Sequence, residues 1–171
     1  MSLERATLIP IAAKAGACVI AGATGVERMP ETVEERVANV RILMKRLLGE
    51  GFKAGDVFLD PLVMPVSVDT GHPGRFMEAI RLLRSEHGRD IHFAPGLSNV
   101  SFGLPKRPTI NQVFAKLCLE AGCDGGIVDP LQINDRILGS LDFAAPLNAL
   151  ARDLLLGKDE YGMAWIGASR E

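Results

Sequence analysis

Asp60, Asn99 and Asp129 each stand just past a short apolar run that reads as a β-strand. Asp60 follows Val57-Phe58-Leu59, Asp129 follows Gly126-Ile127-Val128, and Asn99 sits in Pro95-Gly96-Leu97-Ser98-Asn99-Val100-Ser101-Phe102-Gly103, after the run from Ile91 to Ala94. A carboxylate accepts hydrogen bonds, whereas a carboxamide both donates and accepts. Parallel α/β proteins gather their chemistry in the crevice outside the carboxyl ends of the strands. Three polar side chains at equivalent strand ends therefore predict one shared pocket.

The elements that must position these groups recur along the chain. Helical segments, Gly-containing turns and apolar runs repeat, and the turn glycines Gly16, Gly51, Gly88 and Gly122 are 35, 37 and 34 residues apart. Helices are expected over 4–15, 31–48, 73–86, 108–121 and 133–156, the last broken near Pro146, with strands over 17–22, 56–60, 91–94 and 125–128. The helix over 31–48 is the clearest. Val33, Val37, Val40, Met44 and Leu47 fall on one face of it, and Pro30 sits just before it, where a missing N–H costs least. Strands so uniformly apolar belong to parallel sheets covered by helices. The fold class is thus α/β, built of parallel βα repeats.

A complete (β/α)8 barrel needs about 250 residues, and 171 residues supply about four strands. Four parallel strands form half a barrel, with two open edges and an uncovered concave face. Three arrangements follow: a small open doubly wound sheet, two copies completing each other, or an N-terminal half missing from the chain. Met1-Ser2-Leu3 leads directly into a helix with no strand before it, which suits the third.

Composition narrows the function. With 47% hydrophobic residues and a formal charge of −2, residues 1–171 read as a single soluble domain or one piece of a larger one. They offer no basic face for nucleic acid and no membrane anchor. No export signal or long apolar span is evident, so a cytoplasmic location is expected. Cys18, Cys118 and Cys123 form no CxxC pair and read as core thiols. His72, His87 and His92 lack ligand-like spacing, so no protein-bound metal is expected. Neither GxGxxG nor GxxxxGK[ST] occurs, which argues against nucleotides.

Gly96-Leu97-Ser98-Asn99-Val100-Ser101 followed by Arg107-Pro108 and Asn111 resembles the signature of the pterin-binding methyltetrahydrofolate:corrinoid methyltransferases. Relatives in that family include the folate-binding domain of cobalamin-dependent methionine synthase. Val57-Phe58-Leu59-Asp60-Pro61-Leu62-Val63 is similar to the family's strand ending in a pterin-binding carboxylate, and Gly122 to Asp129 to its last strand. The resemblance spans nearly the whole chain and maps it onto the C-terminal half of a TIM (β/α)8 pterin-binding barrel. It implies one-carbon metabolism: the N5 methyl of 5-methyltetrahydrofolate passes to a corrinoid, cob(I)alamin, carried by a partner protein. A homodimer or a missing N-terminal half would complete the barrel.

Roles follow for individual residues. A pterin presents a ring N–H beside an exocyclic amine, and a carboxylate matches that edge much as it matches arginine. Asp60 is the candidate acceptor, the alternative being an Asp that only shapes the turn before Pro61. Asn99 is the candidate catalytic group, stabilising the proton or partial charge at N5, against a reading as a left-handed turn residue. Arg107 either organises Asn99 or Asp60, meets the anionic tail of the substrate, or is an exposed loop arginine. Ser98 and Ser101 hydrogen-bond the ring or the loop backbone. Asp129 either supports the pocket or caps a helix, and Asn111 caps or orients. Lys106 is expected to be solvated, Thr24 is a weak pocket candidate in the loop after the first strand, and the loop 67–74 covers the mouth or meets the corrinoid partner. A non-catalytic pterin-binding or assembly subunit is the competing class. Dihydropteroate synthase chemistry is disfavoured, because Leu97-Ser98-Asn99 and Val128-Asp129-Pro130 replace that enzyme's basic motifs.

Overall fold

A computed structural model describes residues 7–25 and 28–170. Parts of the expected helix over 4–15 and of the loop at Gly25 to Pro30 lie outside the described residues. Three parallel strands, β1 (Val19–Gly22), β2 (Val57–Asp60) and β3 (His92–Phe93), form a sheet in the order β1-β2-β3. The helices are α1 (Ile9–Lys14), α2 (Val33–Gly49), α3 (His72–His87), α4 (Arg107–Glu120), α5 (Asp135–Ser140), α6 (Pro146–Leu155) and α7 (Met163–Ala168). The repeat read from the sequence holds as far as β3. All four of its turn glycines have positive φ, from 60° at Gly88 to 104° at Gly122, a region open to glycine at little cost.

The expected strand at 125–128 is not one. Ile127 donates its N–H to the Pro95 carbonyl at 2.8 Å, and a single parallel bridge joins Gly96 to Ile127. Farther back, the Asp124 carboxylate takes the Phe93 N–H at 2.8 Å and also holds His92 Nδ1 at 2.8 Å. A side chain occupies the donor that a neighbouring strand's carbonyl would need, so the ladder cannot extend. The segment 133–156 is broken near Pro146 as expected: α5 ends at Ser140 and Pro146 opens a separate α6.

Burial alternates along the strands, contrary to the expectation of two covered faces. Val19, Ala21, Val57, Leu59 and Phe93 are buried beneath the helices. The in-register row Ile20, Phe58 and His92 occupies the other face, with Ile20 44% exposed and the Phe58 and His92 rings stacked at 5.2 Å. Gly22 and Asp60 continue that open face to the carboxyl end. Among the thiols, Cys118 and Cys123 are core residues as expected, but Cys18 is exposed.

Helix α2 begins at Val33, two residues later than the expected start at residue 31. Thr32 caps it by accepting the Glu35 N–H at 3.2 Å, and the Glu35 carboxylate returns to the Thr32 and Glu31 amides. This reciprocal box satisfies amide donors that the first turn cannot bond internally. Thr32→Ala is expected to lower the unfolding free energy by about 1 kcal/mol. Urea denaturation reads that change, and an unaltered midpoint would show that the box contributes nothing.

Candidate functional site

The rim at the carboxyl ends of β2 and β3 is built around Asp60. Its Oδ1 accepts the Leu62 N–H at 2.9 Å, and the Gly96 amide, in the loop after β3, lies near enough to the carboxylate to favour its ionised form. The Asp60 carbonyl takes the Ala23 N–H at 2.8 Å, tying the exit of β1 to the same point. The group is half-buried, and burial pushes its pKa above the ordinary carboxylate value, opposed by the Leu62 and Gly96 amides and by the Arg36 guanidinium. Asp60 thus shapes its turn and also faces the rim.

Asn99 lies on a 3-10 turn, Leu97–Ser101, directly beyond Gly96. A β-carbon built on Gly96 would lie 3.2 Å from Asn99 Nδ2, so the carboxamide leans over the glycine whose amide lies near the Asp60 carboxylate. The acid and the amide therefore meet at one residue on one end of the sheet. Asn99 is exposed, which leaves its amide accessible.

Arg107 organises this turn. Its Nε donates to Ser101 Oγ at 3.0 Å and its Nη2 to the Ser98 carbonyl at 2.9 Å, while Ser101 Oγ donates to the same carbonyl at 3.2 Å. Ser101 is fully buried and serves the loop backbone. Ser98 meets Arg107 through its main chain.

The other expected residues fall elsewhere. Asp129 is exposed, and its carboxylate accepts the Leu131 N–H at 2.9 Å and the Gln132 side-chain amide at 2.7 Å, so it caps the turn that follows it. Asn111 lies within α4 instead of capping it, buried with no protein partner for Oδ1. Lys106 is exposed but bonds the Ala168 carbonyl at 3.2 Å. Thr24 Oγ1 is buried at the exit of β1 without a partner. The 67–74 loop is strapped to the Asn99 turn by Val66 N–H to the Val100 carbonyl and Ser67 Oγ to the Phe102 carbonyl, at 2.9 and 2.7 Å. An open groove of about 510 Å³ runs behind that strap, lined by Val66, Ser67, Asp69, Leu104, Leu154 and Tyr161, so neither Asp60 nor Asn99 faces it.

One residue of the site escaped the sequence reading. Arg36, on α2, is fully buried beneath the exit of β2, where Nη1 donates to the Pro61 carbonyl at 2.8 Å and also to the Leu62 carbonyl. Its only signal in the sequence is position: it lies on the stripe of Val40, Leu43 and Leu47, where an apolar residue belongs. Among the described residues no group of three or more His, Cys, Asp or Glu side chains could hold a metal. No helix among them is long and apolar enough to cross a membrane.

A parallel α/β sheet with an acid and a carboxamide close together beyond its carboxyl ends has its polar groups where such folds place their binding sites. The chain belongs to the pterin-binding enzyme family, whose model matches residues 2–129. It is 30% identical over 143 residues to a methylcorrinoid:tetrahydrofolate methyltransferase of Eubacterium limosum. That match covers 84% of this chain and 49% of the relative, so the chain spans about half the relative's length.

Proposed function

We propose that the chain carries part of the pterin site of a (β/α)8-barrel methyltransferase that moves a methyl group between N5 of tetrahydrofolate and the cobalt of a corrinoid on a partner protein. The observation that carries this reading is the convergence of Asp60 and Asn99 on Gly96. Asp60 receives the donor edge of the pterin, which places N5 across the rim toward Asn99. With 5-methyltetrahydrofolate as donor, cob(I)alamin attacks the methyl carbon in line. The N5–C bond breaks as the Co–C bond forms, and N5 keeps the electron pair and, having taken a proton from solvent, leaves as the neutral N–H amine. Asn99 stabilises the charge changing at N5 without itself transferring a proton. Because a carboxamide donates and accepts, it serves either direction, including the one that the name of the Eubacterium limosum relative describes.

Calorimetric titration with 5-methyltetrahydrofolate, followed by addition of cob(I)alamin and measurement of methylcobalamin, tests the proposal. Binding with turnover supports it, absence of binding rejects it, and binding without turnover points to a pterin-binding subunit instead.

Gly96→Ala gives a finer test. The backbone there has φ −75°, so alanine is tolerated, but its β-carbon displaces the Asn99 amide by a few tenths of an ångström. The expected result is transfer slowed about tenfold, with unfolding free energy changed by less than about 1 kcal/mol. Unimpaired transfer would show that the amide's placement over Gly96 has no catalytic meaning.

A further inference from the structure

A fully buried arginine is costly unless its charge and hydrogen bonds are used. Arg36 uses only Nη1, on the Pro61 and Leu62 carbonyls, while Nε and Nη2 have no partner. Those two carbonyls are the first after Asp60. Leu62 has φ 69°, a left-handed conformation that disfavours a residue with a β-carbon. In this conformation the Leu62 N–H turns back onto Asp60 Oδ1 at 2.9 Å. The chain of contacts runs from guanidinium to carbonyl, through a strained peptide, to the carboxylate.

We propose that Arg36 is a positioning residue that locks the Pro61-Leu62 reversal from beneath and so presents the Asp60 carboxylate, ionised, to the ligand. This rests on the reading of Asp60 as the pterin acceptor. The charged and titratable groups around the pair are Glu35 and Arg36 itself from α2 and His72 and Arg75 from α3; Arg75 repels Arg36, Glu35 and Asp60 attract it, and burial with the two arginines lowers the His72 pKa. Both bonds come from one nitrogen, Nη1, at the tip of a stem packed in the core. A lysine keeps the charge but places its ammonium one bond short of that tip.

The test uses the whole chain carrying Arg36→Met or Arg36→Lys, with thermal melting as the check of folding. Carbon-13 NMR follows the Asp60 carboxyl through a pH titration without ligand, assigned by loss of its signal in Asp60→Asn. Calorimetry then measures tetrahydrofolate binding. In Arg36→Met the Asp60 midpoint rises and affinity at pH 7 falls about tenfold or more. Arg36→Lys shows a smaller midpoint shift with weakened binding, and it is the variant to read if Arg36→Met melts below the assay temperature. If Asp60→Asn binds folate as the parent does, the reading of Asp60 fails and the proposal falls with it. If Asp60→Asn loses folate while the Arg36 variants change neither titration nor affinity, that reading stands and the positioning role is overturned.

Discussion

Replacing Asn99 by alanine is expected to slow methyl transfer by about 10²–10³-fold, the usual effect of removing one donor aimed at charge that develops in the transition state. Folate affinity should change far less, because Asp60 and its amide partners stay in place. Asn99 is exposed, and its own N–H and carbonyl bond within the turn, to the Gly96 carbonyl and the Phe102 N–H at 3.3 and 3.1 Å. The turn therefore survives truncation of the side chain. Single-turnover rates at saturating folate, set beside calorimetric Kd values, separate the two effects. Equal losses in rate and affinity would mean that Asn99 only binds the ground state.

Asp60→Asn is expected to act at the other stage. An amide in place of the carboxylate keeps one acceptor for Leu62 but turns a donor toward the Gly96 N–H or toward the pterin edge. The anticipated cost to binding is about 2 kcal/mol or more, roughly 30-fold in Kd. The pH dependence gives a second readout. Burial raises the Asp60 pKa, so binding that needs the carboxylate is lost as pH falls through that raised value, earlier than for a solvated carboxyl. Between the ordinary and raised values the native state holds more protons than the unfolded one, so stability falls as pH rises across that window. Asp60→Asn removes this slope. A binding profile that is flat through the window would exclude the carboxylate from recognition.

That these two residues stand beyond the carboxyl ends of β2 and β3 was legible from the apolar runs before them, but the turn that carries Asn99 was not. The run before Asp129 reads the same way in the sequence, yet it joins the sheet by a single bridge instead of a strand. Asp124 caps the Phe93 amide with its side chain, and no local pattern marks that choice. Helix identity was readable from period and from prolines at the starts of α3, α4 and α6, but the start of α2 depended on the exchange between Thr32 and Glu35. Arg36 was hidden for a different reason: an apolar stripe is scored by what is greasy, so a charge within it reads as a flaw in the pattern until the carbonyls above it are known.

The exposed Cys18 offers a practical handle. It immediately precedes β1, whereas Asp60 ends the parallel β2, so the two lie on opposite ends of strands roughly 13 Å long. Burial lifts the Cys118 thiol well above its ordinary value and Cys123 to about 11, leaving both poor nucleophiles near neutrality. A maleimide dye should attach to Cys18 alone, giving a singly labelled protein whose fluorophore stays clear of the rim.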